Sequence, residues 1–422
     1  MCASTRLGIS ARGRPNHRGI IAGVTRLALA AAAMATVCTT LPAQDGKTPI
    51  RRNLAGKGAT TTMVALERTP DRGLQPQVAA DAQGTVHLLY FKGAAAAGDV
   101  LYAKRPIESN DFGPPLRVNS QSGSAIAIGT IRGAQLALGR QDRVHVAWNG
   151  SNTAEPRGPN KQSPMLYTRL NDAGTGFEPQ RNVVQTAYGL DGGGSVAADA
   201  NGNVYVAWHG NPAGNGEGNR RVFVAHSSDD GATFSAELPA WDKPTGACGC
   251  CGMRALADSR GALYLLYRTA QATTNRDMFL LVSKDTGKSF QGDLMGKWQI
   301  AQCPMSSEAF VEGPSSVVCA WETDGQVFMG KIDPKKGTTS RSIAAPGNAN
   351  GRKHPALAVN ARGETLLVWT EGTGWERGGA LAWQLFSEAG KPTATRGRAD
   401  GIPVWSFAAA YAKPDGSFVI LY

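Results

Sequence analysis

The chain has 422 residues, with 44 Lys and Arg against 33 Asp and Glu for a formal net charge of +11, and with 52 glycines and 23 prolines. That much glycine and proline excludes a helical bundle or coiled coil, and 42% hydrophobic against 18% charged residues excludes a disordered chain. The positive balance does not read as a nucleic-acid footprint, because no Lys/Arg stripe interleaved with aromatics appears.

Residues 1–43 hold Arg6, Arg12, Arg14, Arg18 and Arg26 and no acidic residue, then the apolar run Leu27 to Val37, then Leu41-Pro42-Ala43. A basic start, a short apolar stretch and a small residue before a polar segment form the pattern of a secretory signal, with cleavage expected after Ala43 and a periplasmic or secreted destination. Cys38 opens a lipoprotein alternative, which Val37 fits poorly because lipidation takes a small residue in front of the cysteine. Without the five arginines the formal charge falls from +11 to +6, and the remaining positives are scattered as on a solvated surface. Residues 44–58 read as a linker and 59–422 as one domain, a monomer with no later apolar run of membrane-spanning length.

Beyond the linker a unit repeats in which an Asp, Asn or Gly turn leads into an alternating strand with an aromatic end. Val78-Ala79-Ala80-Asp81 leads through Gly84 to Val86-His87-Leu88-Leu89-Tyr90, and Val196-Ala197-Ala198-Asp199 leads through Gly202 to Val204-Tyr205-Val206-Ala207-Trp208. Further copies end at Trp148, Tyr267 and Trp369, and plainer ones at Trp321 and Tyr422, at spacings of 58, 60, 59, 54, 48 and 53 residues. A period near 50 with period-two alternation predicts an all-β propeller in which each unit is one four-stranded blade. Seven aromatic ends favour seven blades over six. The last unit stops after two strands, and the segment 60–67 is expected to complete it, closing the ring and hiding its edges.

Ser227-Ser228-Asp229-Asp230-Gly231-Ala232-Thr233-Phe234 and Ser283-Lys284-Asp285-Thr286-Gly287-Lys288-Ser289-Phe290 share one pattern: Ser, any, Asp, any, Gly, any, Ser or Thr, Phe. The Asp carboxylate can accept hydrogen bonds from its own turn, the Gly takes a backbone angle other residues resist, and the Phe tucks beneath. These octapeptides resemble the Asp boxes of sialidases and related proteins. The resemblance implies a six- or seven-bladed propeller, with the boxes between the outer two strands of a blade and far from any catalytic pocket. Ser227, Asp229, Gly231 and Phe234, and Ser283, Asp285, Gly287 and Phe290, are therefore structural candidates.

A site is expected on the opposite face, where chain enters each blade near Gln77, Gln135, Asp191, Cys248, Cys303 and His354 and where the longer loops 150–162, 210–219, 269–276 and 371–379 gather. Cys2 and Cys38 fall in the leader, and Cys319 sits in a strand-like run as a small buried hydrophobe. Cys248, Cys250 and Cys251 precede the fourth blade, and Cys303 precedes the fifth. Three readings stand side by side: disulfides that staple the two blades, as an oxidising compartment favours; a soft-metal site for copper or zinc, with Met305 and His354 on the same rim; and a redox-active thiol pair. Cys-x-Cys-Cys lacks the Cys-x-x-Cys spacing that marks zinc sites.

Resemblance to sialidases would also imply three arginines gripping a sugar carboxylate, a Tyr paired with a Glu, and an Asp acid/base. The first arginine belongs in an Arg-Ile-Pro context, and the nearest string here, Arg105-Pro106-Ile107, has the wrong order and reads as an ordinary outer strand. Arg254, Arg268, Arg276, Asp277, Glu308, Arg352 and Asp191 remain as rim candidates for an anionic small molecule or glycan. Asp191, in Leu190-Asp191-Gly192-Gly193-Gly194, reads equally as a turn residue, and His354 as a satisfied polar residue. Residues 246–305 also resemble a group of uncharacterised exported sialidase-like proteins that share the Cys-x-Cys-Cys motif. That resemblance implies a cysteine-bearing site and no established reaction. The expectation is an exported propeller binding a ligand or soft metal on its cysteine face, with a sialidase-type glycosidase and a purely structural propeller as alternatives.

Overall fold

Every run that ends in an aromatic becomes the second strand of a blade. The computed structural model describes residues 62–272, 274–347 and 351–422, so the expected signal, the linker, Cys2, Cys38, Thr60 and Thr61 lie outside the described residues. Blade one is built from Leu74–Ala80, Val86–Ala94, Ala97–Arg105 and Leu116–Arg117, and blade two from Gln135–Leu138, Val144–Asn149, Met165–Arg169 and Arg181–Asn182. Blade three is Gly194–Ala198, Val204–Gly210, Arg221–Ser227 and Leu238–Pro239, and blade four is Met253–Ala257, Leu263–Arg268, Met278–Ser283 and Gln291–Gly296. Blade five is Ala309–Glu312, Val317–Thr323 and Gln326–Asp333 with Thr338–Thr339 and Ile343–Ala344 outside them, and blade six is Arg352–Val359, Thr365–Glu371, Gly379–Phe386 and Pro392–Ile402.

Blade seven closes the ring. Its strands Ala409–Ala412 and Phe418–Leu421 are antiparallel, and Val64–Glu67 lies parallel to the second of them in the register Val64 opposite Phe418 to Glu67 opposite Leu421. The innermost strands of successive blades touch all the way round, that of blade seven returning to blade one. The described chain is thus an all-β propeller of seven blades.

The core lies between blades. Valines and alanines of the strands face one another across neighbouring sheets, and Trp148, Trp208 and Trp321 on the second strands are almost completely buried. Each such indole removes on the order of 200 Å² from water, so burial at the blade interfaces dominates the driving force.

Both octapeptide turns join the third and outermost strands of their blades. Asp229 accepts from the Ser227 hydroxyl at 2.7 Å, the Thr233 amide at 2.8 Å and the Thr233 hydroxyl at 2.7 Å. Asp285 repeats the set with Ser283 and Ser289. Gly231 and Gly287 both sit at φ 79°, where a side chain would strain the turn. The first box also clamps its neighbour: Arg143 Nε reaches Asp230 at 2.7 Å, Arg181 donates to the carbonyls of Gly231 and Ala232, and Phe234 meets the Tyr167 ring edge-on at 4.8 Å.

Candidate functional site

On the face opposite the boxes, the connection from Pro239 to Met253 carries the three clustered cysteines. Hydrogen bonds pin it to three blades. The Cys248 amide donates to the Arg268 carbonyl at 2.9 Å, the Gly252 amide to Ser306 at 2.8 Å, and the Gly193 amide to the Cys251 carbonyl at 3.1 Å. Glu217, on the long loop of blade three, takes the Gly249 amide at 2.9 Å. The fit is close: a Cβ on Gly249 would lie 2.5 Å from Arg220 Nη1 and 2.7 Å from Asp191 Oδ2, so a side chain there would displace one of those groups.

This anchoring places three sulfurs within 4.8 Å of one another, with Cys248 Sγ 3.4 Å from Cys250 Sγ. All are free thiols; Cys248 and Cys251 are buried, and Cys250 is half-buried and gives solvent a way in. Cys250 and Cys251 donate to Cys248 and hold its thiol well below the ordinary range, and the nearby Arg276 guanidinium adds to this. Cys250, as donor in that coupled pair, is raised, and burial pushes the Cys251 thiol up to about 11. The neighbouring thiols and Arg276 thus favour loss of the Cys248 proton before the other two, which primes the cluster toward a thiolate.

Cations surround it. Arg276 Nη2 pairs with Glu217 at 2.7 Å, leaving its Nε and Nη1 buried without partners. Arg220 lies 3.5 Å from Glu217 and 3.8 Å from Asp191, and Asp191 also takes Arg132 at 2.6 Å. Arg268 is fully buried, donates to the backbone carbonyls of Arg276 and Glu322 and stacks over Trp298 at 4.9 Å. Beneath Cys251 lie His209 and Glu308, each buried with both polar side-chain atoms unpartnered. Burial lowers His209 to about 4 and raises Glu308 well above the carboxylate range, disfavouring the charged form of each.

The remaining candidates scatter around the rim. Cys303 is exposed and lies outside the three-sulfur group, and Met305 sits at φ 51° on the same stretch. Cys319 is buried in blade five and donates to the Gly330 carbonyl at 3.4 Å. His354 is buried between the Ser307 hydroxyl at 3.0 Å and Thr130 at 3.3 Å, and burial lowers it to about 3. Asp277 accepts the Trp298 amide at 2.9 Å. Arg352 lies over Trp369, with Glu371 at 3.4 Å and the Ala345 carbonyl at 3.0 Å. Arg254 bridges Gln77 at 3.0 Å and the Glu308 carbonyl at 3.1 Å. The guanidiniums of Arg268 and Arg352 are engaged with the protein, and neither joins Arg254, which alone of the three lines the central channel.

Glu217, Arg220, His209 and Glu322 were not singled out in the sequence. Glu217 hides in a Gly- and Asn-rich loop, and His209 sits one place past the Trp208 that marks its strand's end; only that position, at the rim end of a second strand, signals it. The stretch Ala127–Arg132 was missed as well. It takes Gln75 Nε2 on Ala127 at 2.7 Å, meets His354 through Thr130 and reaches Asp191 through Arg132, so it spans from blade one to blades three and six and covers the channel mouth on this face.

No protein-family model matches the chain, and no curated protein is similar to it. Solved structures do match. A protein of unknown function from Dyadobacter fermentans is 14% identical, with 82% of this chain and 99% of that one covered at a TM-score of 0.50. A Hadza microbial sialidase is 15% identical over 75% of this chain and 69% of that one at 0.47, and an intramolecular trans-sialidase from leech is 8% identical over 84% and 86% at 0.43. At these identities the likeness is one of fold alone.

Proposed function

We propose that the protein is an exported propeller that binds one thiophilic metal ion, copper(I), through Cys248, Cys250 and Cys251. The observation that carries this reading is the three-sulfur group, all within 4.8 Å, on a loop fixed by backbone bonds to three blades. Thiolates select soft ions, and one of the three is already disposed to lose its proton. Copper(I) is preferred to zinc because a structural zinc takes four protein donors, and among the described residues no fourth His, Cys, Asp or Glu joins the group. Arg276 and Arg268 offset part of the negative charge that three thiolates around a monovalent ion leave behind. A bound ion also gives three thiols a reason to stay unpaired in an oxidising compartment.

The test is elemental analysis of protein isolated from its native compartment without added metal, with thiols counted before and after a copper(I) chelator. One copper per chain, and three thiols that become reactive on chelation, are expected. Metal-free protein with disulfides among Cys248, Cys250 and Cys251 would overturn the reading, and one zinc per chain would overturn the choice of copper.

A further inference from the structure

Arg254 belongs to blade four, yet its Nη1 donates to Gln77 of blade one at 3.0 Å while its Nε donates to the Glu308 carbonyl before blade five at 3.1 Å. In a ring of seven, blade one stands across the axis from blade four. The guanidinium therefore lies in the central channel and roofs it. Among the described residues no carboxylate forms an ion pair with it. Glu308, an acidic neighbour, has neither carboxylate oxygen in a hydrogen bond, and burial pushes its carboxyl well above the ordinary range. A guanidinium keeps its charge, and a charge withdrawn from bulk water calls for a counterion.

Beneath this roof the channel encloses about 470 Å³ between the innermost strands, with Ala79, Ala137, Ala197, Ala255, Ala356 and Ala408 on its walls. Each innermost strand is paired on its outer edge alone, so backbone N–H and C=O groups are left facing the lumen beside the alanine methyls. At the Arg254 end the lining residues Pro76, Pro355 and Phe407 are buried, whereas Ala80 at the far end is exposed, so the channel opens away from the cysteine loop. Glu312, the other charged lining residue, stands at that far end and accepts from Ser259.

We infer that the channel is a binding site for a small organic carboxylate, which enters from the open end and pairs with Arg254. The site is separate from the cysteine cluster, and neither proposal depends on the other. The walls offer methyl contact and hydrogen bonds and carry a single half-buried cation at the blind end, a combination that selects one negative charge on a compact body.

The probes are lactate, its neutral counterpart propane-1,2-diol and inorganic phosphate, titrated into the full chain by calorimetry. Lactate is expected to bind, with the diol weaker by roughly tenfold or more and R254Q weakening lactate by a similar factor. A257W, which fills the open end and leaves Arg254 in place, is expected to lose lactate as well. Equal binding of lactate and diol, undiminished binding to R254Q, or no lactate binding at all would overturn the inference. Phosphate binding in preference to lactate would overturn the carboxylate assignment. Should either variant fail to fold, crystals of the unaltered protein soaked in bromide give a second reading: an anomalous peak against Arg254 is expected, and a channel without one would overturn the site.

Discussion

The paired Asp-box carboxylates and the acidic and basic groups around the cysteines are satisfied to different degrees. On the box face, Asp229 and Asp285 each use both carboxylate oxygens within their own turns. On the cysteine face, Glu308 and His209 are buried with no partner for any side-chain polar atom, and Arg276 keeps two nitrogens free. Unsatisfied buried groups are costly, and native proteins hold them where something else is to be bound or done. The box carboxylates Asp229 and Asp285 repeat as architecture; around the sulfurs, Glu308, His209 and Arg276 bring several unpartnered polar atoms together at one blade junction.

Four tests separate the faces, the largest effect first. Replacing Cys248 with Ser removes a ligand and the thiol most disposed to ionise, and is expected to weaken copper(I) binding by about a hundredfold or more, while C303S leaves it unchanged. Competition with a chromophoric copper(I) chelator measures both. The second test is pH. Cys250 and Cys251 are raised and hold their protons at neutrality, so loading releases two protons. Affinity should fall by about a hundredfold for each unit of acidification near neutral pH. A pH-independent affinity would mean that the thiols are not the ligands.

Third, R276M removes the guanidinium that favours the Cys248 thiolate, and is expected to weaken copper binding by about tenfold and to move the iodoacetamide reactivity of the cluster to higher pH. The smallest effect lies on the other face. Burial acts to raise the Asp229 carboxyl, but hydrogen bonds from Thr233 and Ser227 outweigh it and lower it to about 2. A depressed carboxyl contributes stability above its unfolded value near 4, and that contribution is lost as pH falls through about 2. D229N should therefore cost about 1 kcal/mol at neutral pH, with solvent exposure keeping the figure low, and should flatten the stability curve between pH 4 and 2 in chemical denaturation. Copper binding should not change.

How much was legible follows from the range of the interactions involved. The ring was legible because each blade repeats a local pattern. Tyr90, Trp148, Trp208, Tyr267, Trp321 and Trp369 stand on, and Tyr422 directly follows, the second strands that the spacing predicted. The segment around Val64 completes the last blade. The boxes were legible because a turn that bonds to itself needs no distant partner. Cys248, Cys250 and Cys251 were legible as a group because they adjoin in sequence. The relation of Cys303 to them was not. The Ser306 carbonyl meets the Gly252 amide, yet three residues earlier the chain turns Cys303 outward to solvent, and no local pattern encodes that turn. Glu217 and Arg220 reach the cluster from another blade, and Gln77 reaches Arg254 across the axis, so neither contact leaves a mark in the sequence around its partner.

The central claim is tested most directly by titrating freshly reduced protein with copper(I) in competition with bathocuproine disulfonate, following sulfur-to-copper charge-transfer absorption. The account expects one copper(I) per chain, held by C303S and lost in C248S, C250S and C251S. Binding that survives all three of those replacements, or an unaltered chain that takes up no copper, would contradict it.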